Sequence, residues 1–180
     1  MSAGIDCDLP PAGGDVIERI MAILATVPDP EIPVISVLDL GLVRGVSETP
    51  DGFEISVTPT YAGCPATQVI AHDITAALAA AGISARLVTR LSPPWTTDWI
   101  TPLGRARLRE FGIAPPGPVD HHAPQIVHFA PRAGRKEMPP ACPHCGSERT
   151  ELLSQFGSTA CKALYRCIDC REPFDYFKPL

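Results

Sequence analysis

The chain has 180 residues, enough for one domain of ordinary size with a small appendage; 45% are hydrophobic and only 19% charged, so part of it can bury a substantial core. The net charge of −5 is carried by the first half, where residues 1–95 hold 4 basic and 11 acidic residues; that argues against nucleic-acid binding, which needs a basic face. No run approaches the roughly 20 apolar residues of a bilayer span and the acidic start lacks the apolar core of a secretory signal, so a cytoplasmic location with no membrane association is expected.

Residues 1–14 read as a flexible tail. Asp15 can cap a helix, and Glu18 three residues on completes a capping-box pattern. Val16, Ile20, Leu24 and Val27 then recur at helical spacing, with Ile17 and Ile23 widening the stripe. Pro28 and Pro30 stop this helix. The following stretch, DPEIPVISVLDLGLVRGV, starts irregular because of its prolines, and 42–46 reads as a short strand. Asp51-Gly52 signals a turn. Phe53, Ile55 and Val57 alternate with Glu54, Ser56 and Thr58, the pattern of a half-buried strand, so a hairpin is expected.

A second helix starts at Cys64-Pro65, proline being favoured at the first helical position because its missing N–H is not needed there. Val69, Ile70, Ile74, Ala77, Leu78 and Ala81 form its apolar face, and Gly82 is a natural stop. Residues 85–91 give a third strand. Helix, strand, strand, helix, strand predicts an α/β (α+β) unit: a small sandwich with helices on one face of a mixed three-stranded sheet. Two tryptophans and a short basic helix at 102–111, with Arg105, Arg107 and Arg109, complete a unit over 15–115. Residues 116–138, rich in Pro, Gly, Ala and His and including His121 and His122, read as a linker. A separate module follows at 139–180.

That module carries C-P-H-C-G, then C-I-D-C, with 21 residues from Gly146 to Arg166 between the two pairs. Each C-x-x-C brings two thiolates from one tight turn onto a single ion, and Gly146 lets the first turn close. Cys142, Cys145, Cys167 and Cys170 together supply the tetrahedral sulfur set that zinc prefers. Iron, which the same ligands bind in rubredoxin-like sites, is the rival ion. About 40 residues cannot build a sufficient core alone, and metal binding can supply the missing stability. Four protein ligands leave no open position, so a structural zinc ribbon is predicted. His144 is expected to face solvent. Cys161 fits neither pair and reads as a buried thiol or a second reactive position.

Cys64 sits where a loop enters a helix, and there unpaired N–H groups and the helix dipole favour a thiolate. It is either a reactive or transiently ligating thiol or an inert buried one. No neighbouring His or Asn pattern supports a cysteine hydrolase. Asp29, Glu31 and Asp39 are acids that could hold a metal or assist proton transfer, or simply shape turns, Asp29 before Pro30 above all.

DPEIPVISVLDLGLVRGV followed by SVTPTYAGCPATQVI resembles the SufT-like iron–sulfur assembly domain over roughly residues 15–91. The further stretches LSPPWTTDWITPLGRARLREFGIAPP and CPHCGSERTELLSQFGSTACKALYRCIDCREPFDYFKP extend the resemblance over nearly the whole chain, to the PaaD (PaaJ) family of phenylacetate-degradation proteins. The resemblance implies an iron–sulfur-assembly fold for the first unit. It makes Cys64 the family's characteristic cysteine and sets Asp29 and Asp39 on motif positions. Proteins of the family accompany the multicomponent oxygenase that epoxidises the ring of phenylacetyl-CoA.

The expected partners are therefore the oxygenase and reductase components of that system and iron–sulfur assembly proteins. The sequence has no Glu-x-x-His pair for a diiron bundle and no dinucleotide or ferredoxin fingerprint. An accessory maturation role is expected rather than an enzyme's, with Zn2+ in the ribbon and iron or an iron–sulfur cluster held transiently. The alternative is a non-catalytic structural subunit. The open edge of a small sheet also admits a homodimer.

Overall fold

The structure, a computed structural model, describes residues 13–61, 63–117 and 139–180. Residues 1–12 of the expected tail and 118–138 of the expected linker, His121 and His122 among them, lie outside the described residues.

Helix α1 (Gly13–Leu24) begins two residues ahead of the expected cap. Asp15 thus stands inside the first turn instead of capping it, where its charge still complements the positive end of the helix dipole. Ile20 and Leu24 are fully buried, and Val27 continues their row beyond the helix. The hairpin forms as β1 (Val43–Thr49) and β2 (Gly52–Val57). Thr49 pairs with Gly52, so the turn residues are Pro50 and Asp51, one position earlier than the Asp51-Gly52 signal suggested. Helix α2 (Ala66–Ala80) follows, with Pro65 already in helical conformation ahead of it. It ends in a Schellman motif: Gly82 N–H donates to Ala79 C=O at 3.0 Å and Ile83 N–H to Leu78 C=O at 2.9 Å. Its buried row is Ala66, Ile70, Ile74 and Leu78, a strict four-residue spacing. Val69, expected on the apolar face, is 48% exposed, because the sheet covers only this narrow row.

Strand β3 (Ala85–Thr89) lies parallel to β2, and β1 lies antiparallel on its other side. This is the expected mixed three-stranded sheet in the order β1-β2-β3. Ile55 and Val57 of the central strand turn their buried side chains into the core that α1 and α2 help to form.

Helix α3 (Pro102–Glu110) is capped by Thr101, whose hydroxyl oxygen accepts from Gly104 N–H at 3.0 Å. A Cβ on Gly104 would stand 2.8 Å from the Asp39 carbonyl oxygen, so only glycine allows this approach. The chain then enters a second, four-stranded sheet: β4 (Ile113–Ala114), β5 (Thr150–Ser154), β6 (Lys162–Cys167) and β7 (Pro173–Phe177), in the order β4-β7-β6-β5. β5, β6 and β7 are antiparallel neighbours, whereas β4 pairs with β7 in parallel.

The two sheets share a core. Phe177, 1% exposed, belongs to the same buried cluster as Ile20, Leu24 and Ile74, and its ring lies 6.0 Å from that of Trp95. Thr97 N–H donates to Leu180 C=O at 3.1 Å. A smaller cluster of Ala114, Cys142, Cys167 and Phe174 lies under the cysteines of the second sheet. Among the described residues, no helix is long and apolar enough to cross a membrane.

Candidate functional site

The four expected ligands meet. Cys142, Cys145, Cys167 and Cys170 place their sulfurs within 4.8 Å of one another. Cys142 Sγ lies 3.7 Å from Cys170 Sγ, and Cys145 Sγ 3.5 Å from Cys167 Sγ. Four sulfurs each about 2.3 Å from a tetrahedral ion would be about 3.8 Å apart, so the donor set fits one metal ion.

Two matching turns build the cluster. Gly146 N–H donates to Cys142 C=O at 2.9 Å and Arg171 N–H to Cys167 C=O at 3.1 Å. The residue after the second cysteine of each pair is left-handed, Gly146 with φ +76° and Arg171 with φ +70°. Cys170 N–H points at Cys167 Sγ at 3.5 Å. That amide is the main reason the Cys167 thiol is lowered to about 6, despite burial. Cys170 is pushed the other way, up to about 12: the Glu172 amide lowers it, but burial and the neighbouring sulfurs of Cys167, Cys145 and Cys142 outweigh that. Four sulfurs this close cannot all ionise unless a cation sits among them. His144, as expected, is exposed.

A second group of expected residues gathers where the two sheets meet. Asp29, Glu31, Tyr61, Cys64, Thr159 and Cys161 line a cleft of ≈ 30 Å³, with Phe177 among the apolar residues of its wall. That is room for a water or a single ion. Cys64 is placed by the turn into α2: its N–H donates to Tyr61 C=O at 3.2 Å and its C=O accepts from Thr67 N–H at 3.2 Å. Cys161 comes from the turn ahead of β6, its sulfur 3.1 Å from Thr159 Oγ1 and its carbonyl accepting from Lys178 N–H at 3.0 Å.

The charges of this cleft act on one another. Burial raises the Cys161 thiol, and the Cys64 sulfur adds to that, against the Thr159 hydroxyl and the Lys162 charge. Tyr61 is raised by burial, then by Cys64, Cys161 and Glu31. Asp29 is 6% exposed, and burial raises its carboxyl. Its Oδ1 accepts from both Glu31 N–H and Ile32 N–H at 2.9 Å, which opposes that rise. Asp29 thus shapes a turn and also faces the cleft.

Asp39 stands apart from both groups. Its carboxylate accepts from Ser36 Oγ at 3.0 Å, Thr101 Oγ1 at 2.9 Å and Arg107 Nη1 at 2.7 Å, and its backbone C=O accepts from Thr101 N–H at 2.9 Å. It holds the segment before β1 against α3. Sequence reasoning did not find Tyr61 or Thr159. The first lies three residues before Cys64 and the second two before Cys161, so each was within one turn of a residue already singled out.

Residues 17–85 match the family described as iron-sulfur cluster assembly protein, and residues 128–178 the family described as PaaD zinc beta ribbon domain. Over 163 residues the chain is 50% identical to a putative 1,2-phenylacetyl-CoA epoxidase component of Escherichia coli (strain K12), covering 90% of this chain and 92% of that one. It is 37% identical over 86 residues to the Fe-S protein maturation auxiliary factor YitW of Bacillus subtilis (strain 168), 45% of this chain and 81% of that one. A solved domain of unknown function from Bacillus anthracis is similar with a TM-score of 0.49 at 24% identity, over 53% of this chain and 92% of that one.

Proposed function

Because the chain belongs to the PaaD family, we propose that it is an accessory protein of a phenylacetyl-CoA epoxidase and assists iron or iron–sulfur maturation of the oxygenase or reductase components. The observation that carries this reading is the placement of Cys64: a thiol at the mouth of a 15-residue helix, in a cleft beside a buried carboxylate. The match of residues 17–85 to iron–sulfur assembly proteins supports it.

In this reading the iron or cluster is cargo, not a resident cofactor. Cys64 holds it briefly at a protein interface, and iron–sulfur assembly proteins are the natural donors. Zinc occupies the four-cysteine cluster, where Cys142, Cys145, Cys167 and Cys170 enclose it completely. An enclosed ion has no open position for chemistry, so its work is to stiffen the second sheet as a docking surface. The chain itself carries out no oxygenation.

The test is to express the epoxidase components with and without this protein, purify them anaerobically, and measure iron, sulfide and activity. Components made alone should lack iron or sulfide and be inactive. Fully loaded components that become active only when this protein is added in equal amount would overturn maturation. They would favour a second reading, a non-catalytic structural subunit, which the name of the Escherichia coli relative supports. Stable co-purification would accompany that outcome.

A further inference from the structure

We infer that Cys64 and Cys161, which come from opposite sheets, form one two-thiolate site for a thiophilic divalent metal ion, with Asp29 as the carboxylate that faces it. This deepens the maturation reading and rests on it for the purpose of the site, although not for its existence.

Three observations converge. Both sulfurs line one cleft, with room for a single ion and open to solvent. The two cysteines belong to different parts of the chain, one at the start of α2 and one at the turn into β6, and packing through Phe177 brings those parts together. Asp29, buried beside them, brings a carboxylate whose charged form burial disfavours and a cation would restore.

Among the described residues only the four ribbon cysteines already converge as a closed set of three or more ligands. The cleft is therefore an open site: two soft ligands, a hard one, and positions left to solvent or to a partner's ligand. Such a site binds more weakly and releases more readily than a closed sulfur cage. Each thiol gives its proton to solvent as its metal–sulfur bond forms, so binding strengthens as pH rises.

The experiment uses the full chain with one zinc per molecule, titrated anaerobically with cobalt(II) chloride while released zinc is followed. The expected result is a second metal equivalent, with thiolate-to-cobalt charge-transfer absorption and without displacement of zinc. Cys64→Ser and Cys161→Ser should each weaken that equivalent at least tenfold while retaining the zinc. As a check independent of folding in the variants, cobalt should protect both Cys64 and Cys161 of the unmodified protein from alkylation, read by peptide mass.

No second equivalent, or a second equivalent unchanged in Cys161→Ser, would overturn the site. So would protection of Cys64 alone. Those failures are separate from failure of the maturation reading, which would appear as epoxidase components fully loaded with iron in the absence of this protein.

Discussion

Asp39 and Arg107 are joined at 2.7 Å across 68 residues of chain, and the Thr101 hydroxyl that caps α3 donates to the same carboxylate. The sequence offers Asp39 as a candidate ligand, but its oxygens are occupied in holding α3 in place. Asp39→Ala should lower stability by about 1–3 kcal/mol, since it leaves partly buried donors without their acceptor. Arg107→Ala should cost under about 1 kcal/mol, because Arg107 is 40% exposed and its pair is screened. Urea unfolding measures both. Equal losses would remove Asp39 from its anchoring role.

Metal removal should be felt beyond the ribbon. Phe177 belongs to β7 yet lies in the core of the first sheet. A strong chelator, or Cys142→Ser, should release one zinc per chain and lower the melting temperature by about 10 °C or more, the shift expected for about 3 kcal/mol in a chain of this size. Calorimetry with zinc analysis checks it. An unchanged transition in zinc-free protein would mean that the ion does not support the shared core.

Phe177→Ala should cost about 3–5 kcal/mol, the usual penalty for emptying a buried aromatic site. Because the ring packs against Trp95 and helps wall the cleft, the same variant should speed alkylation of Cys161. Mass-resolved alkylation distinguishes that from general unfolding, provided it is read well below the melting temperature.

The paired left-handed turns make an asymmetric prediction. Nothing crowds Gly146, so Gly146→Ala should destabilise by about 1–2 kcal/mol through backbone strain alone. Arg171 already bears that strain at φ +70°, so Arg171→Gly should leave stability unchanged or raise it by up to about 1 kcal/mol. Zinc content should be one per chain in both. A loss of stability in Arg171→Gly larger than that in Gly146→Ala would contradict the argument.

Asp29 gives a pH dependence. Burial raises its folded-state carboxyl above the ordinary value of 3.8, so the native state holds the proton more tightly than the unfolded chain. Its contribution to stability is then fully present below the unfolded value and is lost as pH rises through the folded one. Asp29→Asn keeps an oxygen for the Glu31 and Ile32 amides but removes the charge. In the metal-free cleft it should raise the urea midpoint at pH 7 relative to the parent, with the gap closing towards pH 4. A gap that widens on acidification would reverse the sign.

Much of this was legible in the sequence because it is local. Two C-x-x-C pairs specify their turns within four residues each, and the periodicity of Ile70, Ile74 and Leu78 specifies a helix whatever it packs against. What could not be read were relationships set by packing between distant residues. Cys161 carried no spacing signal, since its neighbour in the cleft is Cys64, nearly a hundred residues earlier in the chain. Asp39 looked like a ligand because its partner Arg107 was an arginine on a helix that read as a solvated face. Val69 belonged by periodicity to the apolar face and lost its place only because the sheet is narrow.

The two-residue strand β4 reverses the ordinary relation between chain order and modularity. Ile113 and Ala114 come directly after α3, yet they pair with Asp175 and Tyr176 at the far end of the polypeptide. A fragment beginning at residue 139 would keep all four ribbon cysteines and still expose the edge of β7 that β4 covers, an invitation to pair with another chain. Moving the ribbon onto another protein would therefore require residues 113–114 to travel with it.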